Sequence, residues 1–445
     1  MAKKRKEIVI PEKGIPHDEL LKSMDEYAKD DADWESGRVY GLVYYAGHEH
    51  EQLLKKAHEK FFGINALNPL AFPSVKRFEA EVISMMADLL GGDRKSHGAI
   101  TTGGTESLLM AVKAYRDWAR KKYPHITKPE MIIPESAHAS FRKASHYFGV
   151  DIVYIPVKED NRADVEALKA ALTDNTILIV GSACDFPRGV VDPIPEMATI
   201  AKERKIGMHV DGCLGAFMLT MLKKCGYDIP DFNLSVPGVT SISCDIHKYG
   251  YLSKGASAII YKSEKILKCQ YYTTIDWTGG VYVSPTMTGT RNGGLIAQAW
   301  AGIQALGMDG YMKMAKTLKE TADKMMKGIN EIPELHVIGN PVMTVFGYGS
   351  DVIDMYALGD VMESKGWFMD RLQKPPALHC MVVNINQAKL VDEFLKDLKE
   401  CVEIVKHQEG EVQEKAALYG MLATFEDKES LKDVVLGFLA DQYKV

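Results

Sequence analysis

Lys248 is the residue whose surroundings most clearly indicate chemistry. It lies in the segment Asp245-Ile246-His247-Lys248-Tyr249-Gly250, between strand-like apolar runs at 241–244 and 256–261. A lysine held in a loop between two strands, with a histidine before it, is typical of an amine that forms a Schiff base with a carbonyl compound. A surface lysine on a hairpin is the alternative interpretation, so the rest of the chain must decide.

Two further polar side chains follow strand-like runs. Asp211 comes directly after the run 207–210, and His138 follows the run 131–134. These runs belong to an alternating series, with strand candidates at 131–134, 152–156, 176–182, 207–210, 241–244 and 256–261, and helix candidates at 138–147, 164–172, 193–205 and 214–224. Such alternation predicts an α/β fold around a mostly parallel sheet, in which ligands bind at the carboxyl ends of the strands. We therefore expect Lys248, Asp211 and His138 to converge at one edge of the sheet.

A glycine-rich segment offers an anion site. Gly103-Gly104-Thr105-Glu106-Ser107 precedes a helix predicted at 108–121. Glycines before a helix leave backbone N–H groups free to bind an anion, and the helix dipole favours negative charge there. An ordinary capped helix is the alternative interpretation, and the segment lacks the Gly-Lys-Ser/Thr of a nucleotide-binding P-loop.

Together these residues provide what pyridoxal 5′-phosphate (PLP) requires of a protein. Lys248 would form the Schiff base, Asp211 would keep the pyridine nitrogen protonated, and His138 would stack on the ring. The candidate donors to the cofactor phosphate are Gly104, Thr105 and His247.

Composition excludes several other classes of function. The net charge of −6 gives no basic field for nucleic acid, and no run of about 18 apolar residues predicts a membrane span. Seven cysteines without CxxC pairs argue against a disulfide framework or a zinc ribbon, and no metal site is expected. With 445 residues the chain is long enough for more than one domain, and we expect a soluble, cytoplasmic protein.

The motifs resemble the group II PLP-dependent decarboxylase family and, within it, the sphingosine-1-phosphate lyases most closely. The matching segments are Gly103-Gly104-Thr105-Glu106-Ser107, Ala137-His138-Ala139-Ser140-Phe141, His209-Val210-Asp211-Gly212-Cys213, Asp245-Ile246-His247-Lys248-Tyr249-Gly250, Gly289-Thr290-Arg291 and Ala417-Leu418-Tyr419-Gly420-Met421. The resemblance extends over about residues 35–425. It implies fold type I of the PLP-dependent transferases and a homodimer with shared active sites.

The resemblance also implies a reaction and its substrate contacts. It predicts retro-aldol cleavage of a phosphorylated sphingoid base to a long-chain aldehyde and phosphoethanolamine. Lys254, six residues after Lys248, corresponds to a lysine that binds the substrate phosphate in these lyases. Tyr44 is a further candidate substrate contact, and the loop around Arg291 would reach the neighbouring subunit's cofactor.

Two departures from the lyase pattern keep an alternative open. Asn68-Pro69-Leu70-Ala71-Phe72-Pro73 lacks the histidine that the lyases carry there, and Tyr40 replaces a small serine. Both changes concern substrate recognition rather than PLP, so an amino-acid decarboxylase on the same scaffold is the alternative. A non-catalytic binding protein is a third hypothesis, which the intact Lys248, Asp211 and His138 disfavour.

We predict three parts of the chain: an N-terminal segment at 1–60, a large PLP-binding domain at 61–315 and a small α+β domain at 316–445. Helices are predicted at 296–306, before the small domain, and at 316–329, 358–365 and 389–407 within it. Short strands are predicted in the small domain at 335–338, 342–348 and 380–384.

Overall fold

A computed structural model describes residues 9–407 and 428–443. The segment Ala417-Leu418-Tyr419-Gly420-Met421 lies outside these residues. The helices are α1 His17–Tyr27, α2 His48–Lys60, α3 Pro73–Leu89, α4 Gly104–Lys122, α5 Ser140–Phe148, α6 Val165–Ala171, α7 Ile194–Arg204, α8 Ala216–Lys224, α9 Glu264–Gln270, α10 Gly293–Asn330, α11 Met355–Ser364, α12 Val391–His407 and α13 Lys428–Gln442. The strands are β1 His97–Thr101, β2 Glu130–Pro134, β3 Asp151–Ile155, β4 Thr176–Ser182, β5 Gly207–Asp211, β6 Ser241–Cys244, β7 Ser257–Tyr261, β8 Tyr272–Thr274, β9 Tyr282–Ser284, β10 His336–Val337, β11 Val345–Gly349, β12 Asp370–Gln373 and β13 Pro376–Met381.

A seven-stranded sheet forms the centre of the molecule, in the order β1-β7-β6-β5-β4-β2-β3. Strands β3, β2, β4, β5 and β6 pair in parallel, whereas β7 runs antiparallel to both β6 and β1. Hydrophobic clusters bury both faces of this sheet, so the central strands are continuous apolar runs. The predicted mostly parallel α/β sheet is confirmed.

A second, antiparallel sheet, in the order β10-β11-β13-β12, lies in the C-terminal part of the chain. The N-terminal segment packs on this part, because the N–H of Tyr40 donates to the Phe368 carbonyl at 2.9 Å. The predicted boundary between residues 315 and 316 falls inside α10, and the division into three parts stays a prediction. Among the described residues, no helix has both the length and the apolar character that crossing a membrane requires.

The helices predicted at 296–306 and 316–329 are both present and lie on either side of a kink at Gly307, where φ is 59°, within α10. Strands β1, β8, β9 and β12 were missed, because each is short and lacks a continuous apolar run. The small-domain strand expected at 380–384 lies earlier, at Pro376–Met381.

Candidate active site

The carboxyl ends of the parallel strands surround a cavity of about 420 Å³, here called the rim cavity. It is lined by the segments that follow β1, β2, β4, β5 and β6, as expected for ligand sites in such sheets. All six predicted cofactor residues line it: Gly104, Thr105, His138, Asp211, His247 and Lys248. The residues that the sequence predicts to converge therefore lie around one cavity in the structure.

Lys248 forms an ion pair with Asp245 in this cavity. Its Nζ lies 2.9 Å from Oδ2 of Asp245, whose side chain is only 2% exposed. Both residues belong to one turn, in which the Lys248 N–H donates to the Asp245 carbonyl at 3.2 Å. Burial alone would lower the pKa of Lys248, but Asp245, Cys213 and Asp211 together attract the ammonium more strongly, so the pKa lies above the ordinary value of lysine.

The start of α4, where the sequence predicts an anion cradle, lies beside this pair. The first N–H groups of a helix have no partner within the helix, and α4 begins at Gly104. A methyl group on Gly104 would lie 2.6 Å from Asp245 Oδ2, so only glycine allows this close approach. The ring of His247 also lies here, since a methyl group on Gly103 would be 3.5 Å from its Cε1.

Hydrogen bonds set the state of His247. Its Nδ1 accepts the Ala256 N–H at 3.2 Å, so the neutral ring carries its proton on Nε2. Burial lowers the pKa of His247, against the opposing attraction of Asp245. A neutral His247 with a protonated Nε2 can donate a hydrogen bond into the rim cavity.

His138 and Asp211 are each fixed by local contacts. Nδ1 of His138 accepts the Ser140 N–H at 3.2 Å, and the Ser140 Oγ lies 3.0 Å from the Thr105 Oγ1. These contacts connect the His138 ring to the start of α4. Oδ1 of Asp211, at the end of β5, accepts the Cys213 N–H at 3.1 Å, which holds the carboxylate at the cavity wall.

A second cavity, of about 670 Å³, lies between the N-terminal segment, α2 and the turn after Lys248. We call it the apolar cavity, and its lining includes Trp34, Tyr44, Leu54, Phe62, Tyr251 and Leu252. Lys254 also lines it, with Nζ 4.7 Å from the centroid of the Tyr44 ring. The same Nζ donates to the His247 carbonyl at 3.1 Å, so Lys254 connects the two cavities.

The surroundings of Lys254 alter its acidity. Protein atoms displace part of its hydration and the charge of Lys248 repels its own, so the pKa of Lys254 falls to about 8. Part of the side chain stays exposed, which leaves the ammonium accessible to a ligand. At neutral pH the group is still mostly charged.

Arg291 is the predicted residue that the structure does not bring to these cavities. Its Nη1 pairs with Glu79 at 2.5 Å, and it lines neither cavity in the described part of its own chain. Tyr40, the other substitution noted in the sequence, packs against Trp367 and Phe394, with ring centroids at 6.1 and 5.1 Å. Its bulk therefore fills the small-sheet core rather than the apolar cavity.

Comparisons with known proteins agree with this site. Residues 30–348 match the conserved domain of pyridoxal-dependent decarboxylases. The chain belongs to the pyridoxal-dependent decarboxylase family. Over 439 residues it is 43% identical to the sphingosine-1-phosphate lyase of Oryza sativa subsp. japonica, covering 97% of this chain and 81% of that protein.

Solved structures extend the family relationship to the fold. The sphingosine-1-phosphate lyase of Burkholderia pseudomallei is 41% identical, with a TM-score of 0.87 over 95% of this chain and 98% of that chain. Glutamate decarboxylase of Lactobacillus brevis has a TM-score of 0.79 at 18% identity, over 91% of this chain and 96% of that chain, which shows the fold alone. The predicted fold type I class is confirmed, and this pyridoxal-dependent decarboxylase family member is a PLP-dependent enzyme of the lyase class.

The rim cavity of this family member fits PLP. It offers a helix start for a phosphate, an amine for the aldehyde and a carboxylate for the ring nitrogen. Among the described residues, Oδ1 of Asp245 is buried without a hydrogen-bond partner, which is expected of a polar atom that awaits a ligand group.

Sequence reasoning missed three residues of the site. Asp245 lies in the Lys248 segment, but its pairing depends on how the turn closes. Glu106, in the cradle motif, accepts the N–H groups of Thr102 at 2.6 Å and Met287 at 2.8 Å, and so links the cradle to the loop before Arg291. His50 lines the apolar cavity and donates from Nε2 to the Tyr251 carbonyl at 3.0 Å. The spacing Asp-x-x-Lys could have indicated that Asp245 pairs with Lys248. No feature of the sequence indicated that His50 lines a cavity.

Proposed function

We propose that this enzyme cleaves the C2–C3 bond of a phosphorylated sphingoid base, such as sphingosine 1-phosphate, and releases a long-chain aldehyde and phosphoethanolamine. The observation that carries the proposal is the position of Lys254, which contacts His247 of the rim cavity and lines the apolar cavity. A ligand suited to this arrangement has an anionic group for the ammonium and a hydrocarbon chain for the apolar walls. The relatives named as sphingosine-1-phosphate lyases support the same substrate class.

Six residues of the rim cavity receive a role toward the cofactor. Lys248 would form the covalent bond to the aldehyde, Asp211 would keep the ring nitrogen protonated, and His138 would cover the ring face. The cofactor phosphate would be held by Gly104, Thr105 and His247. When bound, PLP supplies an electron sink for the pair of electrons left by the broken bond.

The residues beyond the cofactor choose which bond breaks. Because the orientation of the substrate would determine which bond is cleaved, the groups that hold the phosphate and the chain would decide between lyase and decarboxylase chemistry. Lys254 neutralises the substrate phosphate, and the ring of Tyr44 positions its ammonium. The apolar cavity holds the hydrocarbon chain.

A homodimer with shared active sites would bring Arg291 to the cofactor of the neighbouring subunit. Its loop packs beside the β8–β9 hairpin, since a methyl group on Gly289 would lie 3.0 Å from the Tyr282 hydroxyl. Apolar side chains of the turn between β8 and β9 are exposed: Ile275 (80%), Trp277 (57%) and Val281 (71%). Their exposure in the single chain supports burial against a second copy.

The cysteines bear on the compartment in which the enzyme works. All seven are unpaired, and six of them are buried. Free thiols persist in reducing surroundings, which supports our proposal of a cytoplasmic location.

Product analysis tests the function. PLP-loaded protein is incubated with an 18-carbon phosphorylated sphingoid base, and the aldehyde and phosphoethanolamine are quantified by mass spectrometry. We expect the two products in equal amounts and none from the Lys248→Ala variant. Release of carbon dioxide from amino acids, with no cleavage of any phosphorylated sphingoid base, would instead establish the decarboxylase alternative.

A further inference from the structure

Asp245 forms an ion pair with the Lys248 ammonium. Its carboxylate is 2% exposed, with Oδ2 2.9 Å from the Lys248 Nζ. The N–H of Asp245 donates to the Cys213 carbonyl at 3.1 Å, which ties the turn to the segment after β5. The carboxylate is therefore fixed in place and aimed at the amine.

Other charged or titratable groups also surround Lys248. They are Asp211 at the end of β5, Cys213 after it, Cys184 after β4, Cys244 at the end of β6, His247 on the same turn and Lys254 on the next one. Among the described residues, Asp245 is the acidic group within salt-bridge distance of the Nζ. It is thus the group best placed to control the charge of this amine.

We propose that Asp245 is a positioning residue that holds Lys248 as an ammonium whenever its nitrogen is not bonded to the cofactor. An ion pair in a largely desolvated site favours the charged form of both partners. Burial acts in the opposite direction, since it favours the neutral amine. The pKa of Lys248 is raised, and the largest of the attractions that raise it comes from Asp245, whose Oδ2 lies 2.9 Å from the Nζ.

The catalytic consequence rests on the proposed function. On replacing Lys248, a substrate that arrives as an ammonium would pass the protons it loses to the released lysine nitrogen, and Asp245 would hold that nitrogen as an ammonium. The ammonium could then give a proton to C2 of the product, with an N–H bond broken and a C–H bond formed by the electron pair of C2. The neutral amine left behind would be the form able to bond to the aldehyde again.

Competitive labelling tests the charge of Lys248 without any turnover. Full-length protein from which the cofactor has been removed is treated with trace acetic anhydride across a pH series, and peptide mass spectrometry reports each lysine separately. The reagent attacks neutral amines, so the midpoint of labelling reports the protonation of that lysine. We expect the midpoint of Lys248 to lie above those of the exposed lysines in the same digest.

Substitution of the carboxylate provides the decisive comparison. In Asp245→Asn, which keeps the shape of the side chain, labelling of Lys248 at pH 8 should rise at least about tenfold, because one pKa unit changes the neutral fraction tenfold. Asp245→Glu keeps the charge and should restore slow labelling. A purely structural role would leave the midpoint unchanged in Asp245→Asn, and that result overturns the proposal.

If circular dichroism shows that Asp245→Asn does not fold, the labelling profile of wild-type Lys248 still tests the proposal. A wild-type midpoint at or below that of exposed lysines would overturn it. Because no substrate is present, failure here is distinguishable from failure of the proposed reaction.

Discussion

The ammonium of Lys254 lies over the ring of Tyr44, with Nζ 4.7 Å from the ring centroid. The pKa of Lys254 is lowered to about 8 by burial and by the charge of Lys248. The charge is therefore present below about pH 8 and lost above it, whereas a phosphate monoester is doubly charged above about pH 6. We expect kcat/KM for the phosphorylated substrate to fall as the pH rises beyond about 8.

The Lys254→Arg variant separates this effect from other titrations. Arginine stays charged over the whole range, so the fall above pH 8 should be absent or displaced to higher pH. Measurement of kcat/KM between pH 6 and 10 for both proteins makes the comparison. Identical profiles would show that Lys254 does not carry the phosphate contact.

The central strands could be predicted from sequence because their burial leaves a local signal. The predicted strand at 176–182 matches β4, in which every residue is buried. The polar residues at the ends of such strands lie together because parallel strands end at the same edge. The sequence could therefore predict that Asp211 and Lys248 lie close to each other.

Contacts between segments that are distant in the chain leave no local pattern in the sequence, so they could not be predicted. The apolar cavity depends on how α2 and the N-terminal segment pack against the turn after Lys248, as in the contact of His50 with Tyr251. Strand β1 contains His97 and Gly98 and depends on pairing with β7, more than 150 positions along the chain. Sequence therefore predicted the residues of the rim cavity more completely than the walls of the apolar cavity.

Chain-length selectivity tests the apolar cavity. Each buried methylene contributes about 0.8 kcal/mol, so kcat/KM should rise about fourfold per added methylene until the cavity is filled. Ala46, which lines the cavity, is suitable for reducing its volume. In Ala46→Phe we expect kcat/KM to fall for long-chain substrates and to change little for short-chain ones.

Ala170→Phe is the matched control, because Ala170 is exposed on α6 and lies outside this cavity. Its chain-length profile should equal that of the wild type. An equal loss at every chain length in Ala46→Phe would indicate a general disturbance of the site and contradict the assignment of the cavity.

Mixed dimers test whether Arg291 acts on the neighbouring subunit. Lys248→Ala removes the covalent attachment from its own subunit, and Arg291→Ala removes the contribution that its subunit makes to the neighbour. If sites are shared, a mixed dimer has one intact site, so equal mixing after dissociation should give about a quarter of wild-type activity. If Arg291 instead serves its own subunit, each site of the mixed dimer carries one of the two substitutions. The activity should then stay near that of the variants alone.

Acid sensitivity provides a prediction that concerns stability alone. His209 on β5 is fully buried, with Nδ1 2.8 Å from the Ser241 Oγ, and burial lowers its pKa to about 3. In the unfolded chain a histidine titrates near pH 6.5, so between these values the unfolded state binds one more proton than the folded state. The stability that the neutral ring contributes is complete above about pH 6.5 and decreases by about 1.4 kcal/mol per pH unit below it.

His209→Asn isolates this contribution, since asparagine can replace one hydrogen bond and does not titrate. The substitution lowers the free energy of unfolding relative to the wild type. This loss should be about 2 kcal/mol smaller at pH 5 than at pH 7, because the wild type is itself destabilised at the lower pH. His125→Asn is the control, because His125 is exposed and its substitution should cost the same at both pH values. Chemical denaturation of the three proteins at the two pH values measures these differences, and a pH-independent cost of His209→Asn would contradict the burial of a neutral ring on β5.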